Sequence, residues 1–167
     1  IRQIVAYDLP FEYYWIDAEW FGKPGHWLEN AGNWTPRPDL YPEGLRPISD
    51  ALHAAGRKFL LWFEFERVAP GTPWAEGHDD WLLTVPEADT VTWADYGDYL
   101  PPAEWVKWES RRNQLGRNDR LFDLGNPAAR RFLTDFLAAK IEEFGIDCLR
   151  QDSNVAHLAY WRGADAE

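Results

Sequence analysis

Four carboxylates, Asp17, Glu64, Glu66 and Asp152, are the side chains of this sequence best placed to do chemistry. Each follows a short apolar or aromatic run, and the loops beside them are rich in Trp and Tyr. Acids gathered at one rim among flat aromatic faces suit glycoside chemistry. There, one carboxylate attacks or steadies the sugar carbon and another handles the leaving-group proton. Fixed hydroxyl-binding groups orient the ring. Tryptophan supplies large apolar faces with a polar N–H, and such faces stack on the C–H faces of sugars. The more frequent use of the eleven tryptophans is core packing. Asp152 is the leading nucleophile candidate. It ends an apolar run, and Arg150 lies two residues earlier on the same side of that strand, where a cation keeps a carboxylate ionised. The plainer reading of Asp152 is a loop-start aspartate that makes a local turn with Ser153 and Asn154.

Positioning these acids requires strands. Tyr13 to Asp17, Lys58 to Glu64 and Ile146 to Asp152 read as three of them, near-continuous apolar runs of the kind found in covered parallel sheets. Two helices separate them. The first is predicted over roughly Pro42 to Ala55, with Leu45, Ile48, Ala51, Leu52 and Ala55 on one face and Gly56 as a left-handed cap. The second starts at an Asn126 cap with Pro127 in its first turn. Its stripe is Phe132, Leu133, Phe136, Leu137, Ile141 and Phe144, and Gly145 closes it.

Helix-to-strand joints are one or two residues long, at Gly56-Arg57 and Gly145. Strand-to-helix connections are long, from about Ala18 to Tyr41 and from about Phe65 to Gly125. Short joints at one end and long loops at the other build βα barrels, whose chemistry sits at the C-terminal ends of the strands. An open doubly wound sheet follows the same end rule. No Gly-rich phosphate loop follows any strand, which argues against nucleotide binding. The expected fold class is α/β, a partial (β/α)8 TIM barrel holding roughly strands 2 to 4 with their helices and long loops. Residues 1–167 are read as a fragment of one catalytic barrel domain, because a full barrel takes about 250 residues. The opening Ile1, in place of a methionine, reads the same way.

The formal net charge of −11 argues against nucleic acid and anionic membranes as partners. No run approaches the roughly 18 apolar residues of a membrane span. The single cysteine, Cys148, can form no internal disulfide and suits a reducing compartment such as the cytoplasm. His26, His53, His78 and His157 are scattered, without the clustering that metal ligands need, so neither metal nor cofactor is called for.

The segment Tyr13-Tyr14-Trp15-Ile16-Asp17-Ala18-Glu19-Trp20-Phe21-Gly22 is similar to the second-strand motif of glycoside hydrolase family 36, the melibiase or α-galactosidase type. Leu61-Trp62-Phe63-Glu64-Phe65-Glu66-Arg67-Val68 resembles its third-strand motif, and His78-Asp79-Asp80-Trp81-Leu82-Leu83 its His-Pro-Asp-Trp segment. Leu121-Phe122-Asp123-Leu124-Gly125-Asn126-Pro127, followed by Gly145 to Asn154, resembles the lead into the fourth strand and its nucleophile. The resemblance runs in order over nearly the whole chain. It implies that Asp152 is the nucleophile and that Asp17 and Trp20 lie beside the sugar. It places Arg150 where the family has a substrate-binding lysine and Arg117 at a substrate-binding arginine, with Arg120 as its rival. Glu64 joins the substrate-binding set, although bonding to neighbouring arginines at the rim is its plainer role, as for Glu66. Ala18 and Glu19 replace an aspartate and a glycine of the motif, and Arg150-Gln151 replaces Lys-Trp, which bears on sugar choice more than on chemistry.

The expected activity is therefore that of a retaining α-glycoside hydrolase, foremost an α-galactosidase acting on terminal α-galactosides or oligosaccharides. Its acid/base aspartate would lie outside this chain. Two other readings stand beside it: a carbohydrate-binding barrel remnant without catalysis, and a metal-dependent sugar isomerase using Asp17, Glu64 and Asp152 as ligands. Unpaired strand edges in a partial barrel predict self-association or a homo-oligomer, and inactivity of the 167 residues alone.

Overall fold

The computed structural model describes residues 2–85, 118–155 and 157–165. Its centre is a parallel sheet in the order β1–β2–β6, formed by Tyr13–Ile16, Lys58–Phe63 and Cys148–Gln151. Tyr13 pairs with Lys58 and Ile16 with Leu61; Leu60 pairs with Cys148 and Phe63 with Gln151. In-register neighbours of a parallel sheet share a face. Tyr13, Trp15, Leu60, Trp62, Cys148 and Arg150 therefore look one way, and Tyr14, Ile16, Phe59, Leu61, Phe63 and Leu149 the other.

Two helices cover the second face. Helix α2, Arg46–Ala54, buries Ser49 and Leu52. It starts at Arg46 rather than at Pro42, with Leu45 in the cap position. Gly56 takes φ +67, the left-handed value its position requires. Helix α4, Pro127–Phe144, opens on the Asn126 side chain, which accepts from the Ala128 amide, and closes on Gly145 in the left-handed region. Phe59, Leu61 and Phe63 are fully buried beneath these helices. Each such side chain contributes roughly 1.5–3 kcal/mol by leaving water. Ile141 departs from the predicted stripe: it is exposed, although Phe144 beyond it is buried.

The long connection after β2 is not bare loop. Strands β3 (Arg67–Val68), β4 (Leu82–Leu83) and β5 (Arg120–Phe122) form a small antiparallel sheet in the order β3–β5–β4. The short helix α3, Pro73–Gly77, precedes β4 and is capped by the Thr72 hydroxyl. Short helices α1, Arg2–Ala6, and α5, His157–Asp165, lie at the two ends of the chain. Strands of two or three residues carry no readable periodicity, which is why the sequence did not announce them.

The outer strands of the parallel sheet are less covered than their apolar sequences predict. Tyr13 is 41% and Trp15 47% exposed. Among the described strands of this parallel sheet, β2 is the one with a neighbour on both sides, and its pattern is nearly continuous burial.

One side chain ties α2 to both the β2 and β6 ends of this layer. Asp147 Oδ2 accepts from the Phe59 amide at 2.8 Å and contacts His53 Nε2 at 2.7 Å. Burial pushes the Asp147 carboxyl up, but the Phe59 amide and His53 outweigh it and hold it below the ordinary carboxylate value. A depressed folded-state value stabilises the fold above the unfolded value, near pH 4, and that contribution is lost as pH falls through the folded value. Asp147→Asn is expected to cost about 1 kcal/mol at pH 7 and to flatten the decline below pH 4. Urea midpoints measured from pH 3 to 7 check it.

Candidate active site

The C-terminal ends of β1, β2 and β6 meet at one rim. Continuing the register by one residue sets Asp17 beside Trp62, level with Arg150. Asp152 follows two residues later on the same face, and its amide prolongs the ladder by donating to the Phe63 carbonyl at 2.8 Å. Adjacent strands are about 4.8 Å apart, so the backbones at Asp17 and Asp152 are separated by on the order of 10 Å. That span admits one sugar ring between the two side chains.

The Asp152 carboxylate is held from several sides. The Trp62 indole donates to Oδ2 at 2.9 Å, and the Ser153 amide donates to Oδ1 at 3.0 Å. Arg150 Nη2 lies 3.4 Å from Oδ1, a long contact that acts more through charge than through bond geometry. Burial raises the carboxyl's proton affinity; the Trp62 indole, the Ser153 amide, the Asn154 side chain and the Arg150 charge outweigh it. The net effect holds Asp152 below the usual carboxylate range, so it is an anion at neutral pH. The local turn through Ser153 is thus real, and it aims the carboxylate.

Arg150 is itself placed by stacking. Its guanidinium lies over the exposed Trp15 ring, 5.2 Å from the centroid. Asp17 is exposed and accepts from the Ala18 amide at 2.8 Å. Glu19 two residues on holds φ +73, a left-handed value unusual for a residue with a side chain. Glu66 takes a bond from the Gln151 amide at 3.2 Å and faces His157 at 3.6 Å, while His157 Nδ1 lies 3.1 Å from the Ser153 hydroxyl.

Two residues expected beside the sugar are buried. Trp20 has no exposed surface. Its indole donates to the Trp62 carbonyl at 2.8 Å, and its ring packs against Phe21, Trp34, Phe63 and Phe144. The loop that follows β1 folds back on itself, where Phe21 bridges to Pro36, and turns Trp20 into the core. Glu64 is 1% exposed, with Oε2 on the Arg67 Nε at 2.9 Å and Oε1 on the Asn154 amide. Neither oxygen is open to a ligand. Arg120 is bound to Asp79 through both terminal nitrogens, on the small antiparallel sheet. Arg117 lies outside the described residues.

Sequence reasoning named Arg150 and the turn through Ser153 and Asn154 beside Asp152, and missed the Trp62 indole. Trp62 carried a usable signal, since it sits two residues before Glu64 and hence on the nucleophile's side of the sheet. In the buried cluster of Arg67, Glu64 and Asp119, the plainer reading of Glu64 as bonded to a neighbouring arginine anticipates its bond to Arg67, whereas Asp119 carried no signal, being 52 residues from that partner, at 2.6 Å. Among the described residues no three His, Cys, Asp or Glu side chains are grouped to hold a metal ion, and no helix is long and apolar enough to cross a membrane.

The Melibiase family profile matches residues 3–96. The chain is 28% identical over 150 residues to alpha-galactosidase C of Emericella nidulans, covering 83% of this chain and 17% of that one. It superposes on the crystal structure of the alpha-galactosidase from Lactobacillus brevis with a TM-score of 0.65 at 26% identity, covering 90% of this chain and 18% of that one. A family 36 alpha-galactosidase from Geobacillus stearothermophilus, crystallised with raffinose, shares the fold with a TM-score of 0.65 at 22% identity, over 90% of this chain and 18% of that one. The chain spans less than one fifth of the length of these relatives. With more than half of its residues inside the family profile, the chain belongs to the melibiase family.

Proposed function

We propose that this chain supplies the nucleophile side of a retaining α-galactosidase. It would form strands 2 to 4 of a (β/α)8 barrel, with the relatives' own catalytic domains as the support for that architecture. The observation that carries the reading is the Asp152 carboxylate, ionised and aimed at the C-terminal rim by Trp62, Ser153 and Arg150.

In this mechanism one Asp152 oxygen attacks the anomeric carbon of a terminal α-galactoside, and the bond to the leaving oxygen breaks. A second carboxyl group, roughly 5–5.5 Å away in retaining enzymes, protonates that oxygen and later activates water. That acid is assigned to no residue of this chain. Asp17 accepts from sugar hydroxyls across the ring, and Arg150 donates to hydroxyls while keeping the nucleophile ionised. Arg117, by resemblance, binds from the same rim. Lowered proton affinity at Asp152 also makes it a good leaving group when water resolves the glycosyl-enzyme. The residues call on no metal or cofactor for these steps.

The test is the anomer formed first by the natural full-length protein. Proton NMR of an aryl α-galactoside during turnover is expected to show α-galactose before mutarotation. First formation of β-galactose would refute the retaining mechanism and Asp152 as its nucleophile.

A further inference from the structure

A cluster of buried ions beneath the nucleophile has no place in the chemistry just described. Arg67 is fully buried. Its Nε donates to Glu64, and its Nη1 donates to Asp119 at 2.6 Å and to the Leu28 carbonyl at 3.1 Å. Glu64 and Asp119 are 1% and 5% exposed. Taking three such ions out of water costs several kcal/mol each, and apolar residues of the same volume would often stabilise the fold better. Among the described residues the arrangement is not even fully satisfied, since Arg67 Nη2 and Asp119 Oδ1 have no hydrogen-bond partner there. Stability alone gives little reason for the cluster.

Its connections supply one. Glu64 Oε1 accepts from the amide of Asn154, and the Asn154 side chain bonds to Asp152. On its other side the Arg67 guanidinium lies over the Trp27 ring at 5.1 Å. Trp27 meets Trp62 edge-on at 5.2 Å, and the Trp62 indole donates to Asp152. Two routes leave one buried cation and end on the same carboxylate.

We propose that Glu64 and Arg67 are positioning residues that fix the orientation of Asp152, Glu64 by holding the 152–154 turn and Arg67 by bracing both Glu64 and Trp27. The inference rests on Asp152 being the nucleophile. A reacting group displaced by about 1 Å loses on the order of 100-fold in rate. The titratable and charged groups facing the turn are Glu64, Glu66, Arg67, Arg150 and His157. Of these, Glu64 reaches Asp152 only through the bonds of Asn154.

The experiment compares Glu64→Gln with Leu133→Ala in the natural full-length protein. Leu133 is buried in helix α4, on neither of the two routes to Asp152, so its truncation lowers stability without removing a bond to the turn. For Glu64→Gln, kcat on an aryl α-galactoside is expected to fall about 10- to 100-fold with KM within 3-fold of wild type. The acid limb of its pH profile is expected to move to higher pH, because a loosened turn weakens the Ser153 and Asn154 bonds that favour the Asp152 anion. Leu133→Ala should keep both kcat and the acid limb. Arg67→Lys keeps the charge and loses the fork; it should fold and show a smaller change in the same direction, and it stands in if Glu64→Gln does not fold. Kinetics and acid limb in Glu64→Gln or Arg67→Lys that match Leu133→Ala would overturn the positioning role. That failure is distinct from failure of the proposed function, in which Asp152→Ala itself would turn over normally.

Discussion

Asp152→Ala in the natural full-length protein is expected to lower kcat on an activated aryl α-galactoside by about four orders of magnitude or more, in line with loss of a covalent nucleophile. The fold should survive, because Asp152 is partly exposed and its main structural bond, amide to the Phe63 carbonyl, is made by backbone. Alanine leaves a space on one face of the anomeric carbon. Azide is small enough to enter it and attack directly, forming a C–N bond as the aryl oxide departs. The product would then be the β-galactosyl azide, inverted relative to the substrate. Rescue with that stereochemistry separates a missing nucleophile from a damaged site, which no external anion would repair. Unchanged turnover in the variant would remove Asp152 from the mechanism.

The second large effect is on stability. Arg67→Ala removes the cation between Glu64 and Asp119 and leaves two carboxyl groups facing each other out of water. Breaking a buried ion cluster in this way costs about 3–5 kcal/mol. The loss has a sign in pH. Burial already raises the Asp119 carboxyl's value, Arg67 opposes that rise, and Glu64 adds to it. Without Arg67 the folded-state value rises further above the unfolded one, so folded-state stability is retained at low pH and lost as pH increases through the raised value. Urea unfolding of Arg67→Ala should therefore show a larger deficit at pH 8 than at pH 5. A deficit under 1 kcal/mol at both, or one that grows on acidification, would contradict the picture of a paired buried cluster.

Much of the parallel layer is legible because its signals are local. The apolar runs at Tyr13, Lys58 and Cys148 mark the strands to within one or two residues, and Asn126, Pro127 and Gly145 mark the ends of α4 by capping chemistry alone. The rim position of Asp17 and Asp152 follows from strand direction, which the loop lengths disclose. What escaped depends on contacts far apart in sequence. Glu64 and Asp152 look alike as strand-end acids, and only the fold shows that one is sealed against Arg67 while the other faces outward. Trp20 and Trp15 likewise carry the same side chain to opposite fates: Trp20 is enclosed by the returning loop, and Trp15 remains 47% exposed under Arg150. The antiparallel strands were hidden by their length, since Arg67–Val68 and Leu82–Leu83 are too short to show an alternation.

A retaining mechanism through Asp152 requires a covalent bond between its carboxylate and the sugar. The natural full-length protein should be incubated with a fluorinated α-galactosyl fluoride, whose fluorine slows hydrolysis of the glycosyl-enzyme, then digested and examined by mass spectrometry. The expected result is a single galactosyl adduct, one per active site, on the peptide containing Arg150-Gln151-Asp152-Ser153, with fragmentation placing it on Asp152 and no adduct in Asp152→Ala. An adduct on any other residue, or rapid hydrolysis of the reagent with inversion and no adduct at all, would contradict it.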